Sequence, residues 1–186
     1  GIYLIGSTNQ SISSNIVKSG IRNAQVKSGI YTPTGGDSAK IWNNLVYGFS
    51  GFGQYCIGTN AGNTQHAYVY NNTVYDCSSG IGPITLGNPN RIIAKNNIAA
   101  SSSMPFIGTF DVGTDYNATD ASSTAYTVTG SGNSHDRSAS NIAFVSTSTS
   151  DFNLSVTDTF ALDNGVSLLS DSIIPFSLLI RFNDNK

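Results

Sequence analysis

The chain has 186 residues, enough for one domain with a sizeable core. Its charged fraction is 11%, far below the roughly 25% of an average globular protein, and all eleven acids are Asp. A net charge of −2 without any Lys/Arg cluster excludes an electrostatic footprint for nucleic acid, and no apolar run approaches the ~18 residues of a membrane span.

Good helix formers are scarce, whereas Gly, Asn, Ser and Thr are abundant, a mix that suits a β-fold with many tight corners. Hydrophobic residues at 39%, with nine Tyr and nine Phe, argue against disorder. The opening GIYLIGSTNQ has neither a charged n-region nor a cleavage pattern, so it does not read as a signal peptide. It starts like the middle of a strand, which suggests a processed product or a piece of a longer chain.

From there the elements recur. Ile12, Asn15 and Val17 share their spacing with Ile41, Asn44 and Val46, with Val69, Asn72 and Val74, and with Ile93, Asn96 and Ile98. Successive sets lie 29, 28 and 24 residues apart. An independent column of Ile5, Ile30, Ile57, Ile81 and Ile107 runs at steps of 25, 27, 24 and 26. Two columns with one period predict a parallel β-solenoid, in which each coil stacks on the one below at about 4.8 Å and like residues form ladders. Asn15, Asn44, Asn72 and Asn96 are then corner residues. Asn tolerates the left-handed conformation, and its amide can bond the Asn one coil away.

The segments KIWNNLVYGFSG (40–51), YVYNNTVYDCSSGIG (68–82) and IIAKNNIA (92–99) resemble the right-handed parallel β-helix proteins with pectate-lyase-like repeats. The resemblance implies an all-β, single-stranded right-handed parallel β-helix, with DYNATDASSTAYTVTG (115–130) and DFNLSVTDTFALDNGVSL (151–168) as the ending coil and closing segment. Regular coils are expected over 1–110, irregular, longer-looped coils over 111–150, and a C-terminal closing segment over 151–186. In many relatives the closing segment continues into an Asp- and Gly-containing stretch, where this chain reads SIIPFSLLIRFNDNK. The architecture hosts lyases, hydrolases, adhesins and phage spikes, so it does not specify a function.

Calcium-dependent lyase chemistry needs Asp residues clustered on neighbouring coils, but Asp76 stands in a column with Gly48, Ser19 and Ala100. The hydrolase signatures Asn-Thr-Asp, Asp-Asp and Gly-His-Gly are absent. His66 enters a strand from a loop, and His135-Asp136-Arg137 is read as a solvated loop because consecutive side chains do not converge. No catalytic residue, metal ligand set or cofactor is assigned. Cys56 and Cys77 fit either a disulfide or two buried thiols, and their offset of three residues from alignment favours thiols.

Alternation turns two aromatic pairs outward, Trp42/Tyr70 and Tyr47/Tyr75, with Ala94 and Ala99 next in those columns. Phe52 and Tyr55 lie in the adjacent variable loop, GFSGFGQY (48–55). These six aromatics are the candidate platform for polysaccharide or cell-surface glycan, since sugar rings stack on flat aromatic faces; stacked pairs also strengthen sheets on their own. The expected function is a non-catalytic extracellular, cell-surface or virion-surface module, structural or glycan-binding. A polysaccharide-active lyase or hydrolase is the first alternative. A self-associating filament protein is the second, because no N-terminal cap is legible.

Overall fold

A computed structural model of the chain describes residues 1–4, 9–19, 28–32, 38–60, 66–84, 91–121, 126–128, 134–138, 141–169 and 173. It is a right-handed parallel β-helix. The strands follow one another around three faces. β1 (Ile2–Tyr3), β4 (Ser28–Thr32), β7 (Tyr55–Thr59), β10 (Ser79–Pro83) and β13 (Met104–Phe106) stack in that order as sheet A. β2 (Ser11–Ser13), β5 (Ala39–Trp42), β8 (Ala67–Tyr70) and β11 (Ile92–Lys95) form sheet B. β3 (Ile16–Lys18), β6 (Leu45–Tyr47), β9 (Thr73–Tyr75), β12 (Ile98–Ala100) and β15 (Ala118–Thr119) form sheet C. β14 (Gly108–Phe110) pairs in parallel with β16 (Tyr126–Val128), and β17 (Phe144–Ser146) with β18 (Asp151–Leu154) makes an antiparallel hairpin.

The core lies between the sheets. Ile12, Ile41 and Val69 enter it from sheet B, Val17, Val46 and Val74 from sheet C, and Ile30, Ile57 and Ile81 from sheet A. The fourth coil differs from the spacing-based expectation by one residue. Ala94, not Ile93, pairs with Val69, and Ala99, not Ile98, pairs with Val74. A slip of one residue exchanges the two faces of a strand, and IIAKNNIA offers apolar residues and an Asn in both registers. The two small alanines leave room that Phe106 and Phe110 fill, both fully buried with ring centroids 6.4 Å apart. For the same reason Phe106, not Ile107, continues the Ile81 column. At the other end Ile2 pairs with Ile30, while Ile5 lies outside the described residues.

The paired asparagines divide two jobs. The first residue of each corner takes the left-handed conformation: Ser14 (φ 58°), Asn43 (55°), Asn71 (54°), Asn96 (56°) and Tyr116 (62°). The second builds the ladder. Nδ2 of Asn15 donates to Oδ1 of Asn44 at 3.0 Å, Asn44 to Asn72 at 3.0 Å, Asn72 to Asn97 at 3.0 Å, and Asn97 to Asn117 at 2.9 Å. Each backbone N–H donates to the same oxygen, at 3.0–3.1 Å. The ladder residue of the fourth coil is therefore Asn97, one position beyond the expected Asn96.

The ladder continues into 111–150, where its steps shorten to 20 and 19 residues, through Asn117 to Asp136. Bridges between Lys95 and Asp115 and between Ala118 and Arg137 mark these coils. A second corner is set by left-handed Gly48, Asp76 and Ser101, so Ser101 and not Ala100 shares the Asp76 column. Cys56 and Cys77 form a disulfide, with Cα atoms 5.8 Å apart. The corner at Cys77 brings the sulfur back toward β7 despite the three-residue offset, so the thiols are not free.

The division of labour gives contrasting mutants. Asn72→Ala strips the acceptor from two donors of Asn44 and the donor from the carbonyls of Ile41 and Tyr70. It should lower stability by about 2–4 kcal/mol in urea titration. Asn71→Gly suits the left-handed position and should change stability by less than about 0.5 kcal/mol.

Candidate functional site

Outward-facing side chains on sheets B and C were the sequence's candidate site. Trp42 and Tyr70 do stack in register, as do Tyr47 and Tyr75. The residues next in those columns are Lys95 and Ala100, not Ala94 and Ala99, through the same one-residue slip. Lys95 places its Nζ 5.6 Å from the Tyr70 ring centroid, and Lys18 places its own 5.5 Å from that of Tyr47.

Neither aromatic pair forms an open platform. Trp42 is 7% exposed and Tyr70 1%, packed with Leu168, Val166 and Ile173. On sheet C the ring of Phe152 lies 4.9 Å from both Tyr47 and Tyr75, and Phe144 meets Tyr75 edge-on at 5.9 Å. The C-terminal segment is thus an arm lying along the outside of two sheets. Its hairpin covers sheet C, and its last described residues cover sheet B. Ile98 and Ala118 complete the seat, packed with Ala161, Ile142, Phe144, Leu154 and Phe160.

At the corner between the sheets the arm is held by Asn96. Its Nδ2 donates to the Val166 carbonyl at 2.8 Å, and its Oδ1 accepts the Val166 N–H at 2.9 Å. Gly165 lies so close that a Cβ there would meet the Asn96 amide at 3.3 Å. Asp158 ties the arm's own backbone. Its carboxylate accepts N–H bonds from Phe160, Ala161, Leu162 and Ala143. Burial pushes this carboxyl's pKa up, but the four N–H donors outweigh it and hold the group below its ordinary value.

The loop aromatics stand apart from this seat. Phe52 is fully exposed at the tip of a turn in which the Gly51 N–H donates to Oε1 of buried Gln54 at 2.8 Å. Tyr55 belongs to β7 and is 9% exposed, its phenol pKa raised by burial. The structure therefore does not gather Trp42, Tyr47, Tyr70, Tyr75, Phe52 and Tyr55 into one surface.

The His135, Asp136 and Arg137 side chains take separate partners. Nδ1 of His135 meets Oδ2 of Asp115 at 2.7 Å, and its ring lies flat on Tyr116 with centroids 4.4 Å apart. Oδ1 of Asp136 accepts the N–H of Asn117 at 2.7 Å and its Nδ2 at 3.3 Å, the last rung among the described residues. Arg137 lies 6.0 Å from the Phe160 ring. His66 bonds Oδ2 of Asp111 at 3.1 Å. Sequence reasoning missed both His–Asp pairs because their partners are 45 and 20 positions away. Asn117 and Asp136 could have been found by extending the ladder at a shrinking step.

Asp136 is the strongly perturbed acid. Burial raises its pKa, the nearby Asp115 charge adds to this, and bonds from Asn117 only partly oppose them, leaving it at about 7. A small hollow beside it is lined by Asn96, Tyr116, Ala118, His135, Arg137, Ala161 and Asn164. Among the described residues no group of three His, Cys, Asp or Glu is placed to hold a metal ion, and no helix is long and apolar enough to cross a membrane. Comparison with family models, curated proteins and solved structures finds no significant match.

Two substitutions check these assignments. Phe152→Ala should lower stability by about 1–3 kcal/mol and raise the solvent accessibility of Tyr47 and Tyr75 in tyrosine fluorescence quenching. For Asp136 the folded pKa exceeds the unfolded one near 3.9, so its stabilising contribution is complete below about pH 4 and is lost as the pH rises through about 7. Asp136→Asn should remove that decline. The variant should exceed the parent by about 1–3 kcal/mol at pH 8, a figure reduced for the carboxyl's partial solvent access.

Proposed function

We propose that this chain is an extracellular or surface-displayed β-helix module of the pectate-lyase-like architecture, with a structural and not a catalytic role. The observation that carries this reading is the arm. The outward aromatic columns, where such a solenoid would offer a ligand platform, serve as the seat of the chain's own C-terminal segment.

The acids support the same reading. Of the eight described acids, six (Asp111, Asp115, Asp120, Asp136, Asp151 and Asp158) accept hydrogen bonds within the fold, and the other two, Asp76 and Asp163, occupy left-handed positions of the backbone. A glycosidase or lyase needs carboxylates free to meet substrate. The disulfide favours an oxidising location, because cytosolic thiols of this kind are kept reduced. The covered columns favour structure over glycan binding within the non-catalytic class.

Incubation with pectic, alginate-type and glycosaminoglycan polysaccharides should release no unsaturated or reducing-end product, and a glycan array should show no binding that Trp42→Ala abolishes. Product release would overturn the reading in favour of an enzyme. Array binding lost in Trp42→Ala would overturn it in favour of a glycan-binding module.

A further inference from the structure

The first coil, made by β1, β2 and β3, is the edge strand of sheets A, B and C alike. In a parallel ladder each residue turns its N–H and C=O to one side, and neighbouring residues alternate. The Ser14 and Ser19 N–H groups donate to the Trp42 and Tyr47 carbonyls, and the Gln10 and Asn15 carbonyls accept from Lys40 and Leu45. Ile12 and Val17 therefore face the second coil, whereas Ser11, Ser13, Ile16 and Lys18 turn their main-chain groups off the N-terminal end. Among the described residues no strand pairs with them there.

The amide ladder is open at the same place. Oδ1 of Asn44, Asn72, Asn97 and Asn117 each accepts an N–H and an Nδ2 from the coil before it. Asn15 gives both of these donors to Asn44, and its own Oδ1 accepts from no described residue.

Nor is the edge blunted against pairing. β2 and β3 carry no Pro and hold an even register with β5 and β6, and β3 is as long as β6 and β9, at three residues. Lys18, the charge best placed to repel an incoming strand, lays its Nζ over the Tyr47 ring on the second coil. Apolar surface continues to the end: Ile16 is 74% exposed, and Tyr3, stacked on Tyr31 at 4.5 Å, is 59% exposed.

We propose that the N-terminal end of the solenoid is an interface for one more parallel coil, whose corner Asn donates its N–H and Nδ2 to Oδ1 of Asn15 while its strands pair with β1, β2 and β3. The occupant is a coil of this chain's own kind, continuous with β1, because each coil already offers its successor this set of donors. A second copy meeting this one end to end would bring Oδ1 against Oδ1, two acceptors without a donor. One stacked head to tail would present the Asp136 rung, a carboxyl with no NH₂ to donate. The inference holds whether the module is structural or catalytic.

The test adds a coil and reads amide hydrogen exchange. A copy of residues 1–28 placed ahead of Gly1 sets Ser28 before Gly1 as it stands before Gly29, since Ile2 pairs with Ile30. The copied Asn15 then lies 28 positions before the native one, the same step as from Asn44 to Asn72. In the parent chain the Ile16 and Lys18 amides should exchange near their intrinsic rates, and the added coil should slow both by at least about 10-fold. Asn15→Ala in the copy should remove most of that slowing. The Val17 amide, turned to the second coil, reports that the native coil is intact. A copy of residues 29–55 is the second insertion, since Tyr55 occupies the register of Ser28. Ile16 and Lys18 amides that stay fast with both insertions, or loss of Val17 protection with both, would overturn the proposal. So would protection already present in the parent. If independent of concentration, it means that the chain covers this end itself; if concentration-dependent, that a second copy does.

Discussion

The structure depends on the alignment of one side-chain amide per coil with the amide of the coil above. Asn44, Asn72, Asn97 and Asn117 each accept two donors on Oδ1 and spend Nδ2 on the next carboxamide or carboxylate oxygen and on backbone carbonyls around the corner. These groups are buried, with Asn72 and Asn97 at 0% exposure, so a rung out of register would leave several polar groups unpaired at once. The ladder therefore locks the coil-to-coil register. Everything that depends on register follows, from the apolar columns inside to the aromatic columns outside. It also has a direction. Donors point toward the C-terminal coils, and a carboxylate, which accepts without donating when ionised, stands at the last described rung.

Register on the inside creates register on the outside, and the chain uses that second pattern for its own arm. Phe152 sits between Tyr47 and Tyr75 because those rings are held one coil apart at the spacing of adjacent strands. Asn96 is available to hold Val166 because Asn97 has taken the ladder position. The arm covers the outer faces of two sheets, so it contributes an apolar layer that a thin solenoid with so few charged residues otherwise lacks.

Much of this was readable from residue order. The repeat of Ile, Asn and Val at constant internal spacing implies stacked coils, and the first three ladder residues follow from it. The fourth coil was misread because IIAKNNIA satisfies the pattern in two registers. The choice between them rests on core volume, and Phe106 and Phe110, which decide it, come later in the chain. The last rungs were hidden by coil shortening, since a fixed period cannot find a step that falls to 19. The outward placement of Trp42, Tyr47, Tyr70 and Tyr75 was legible from alternation. Their fate was not, because alternation says which way a side chain points and nothing about what arrives to cover it.

The sequence by itself determined the solenoid, its corners and the identity of most inward residues, because period and residue type are local and repeated. Tertiary structure alone decided that Asn97 and not Asn96 takes the ladder in the fourth coil, that Cys56 meets Cys77, that both histidines meet distant aspartates, and that the aromatic columns are occupied. Each of these is a meeting between residues far apart in the chain. Such meetings depend on how coils of unequal length stack and fill their volume, which no single stretch of sequence encodes.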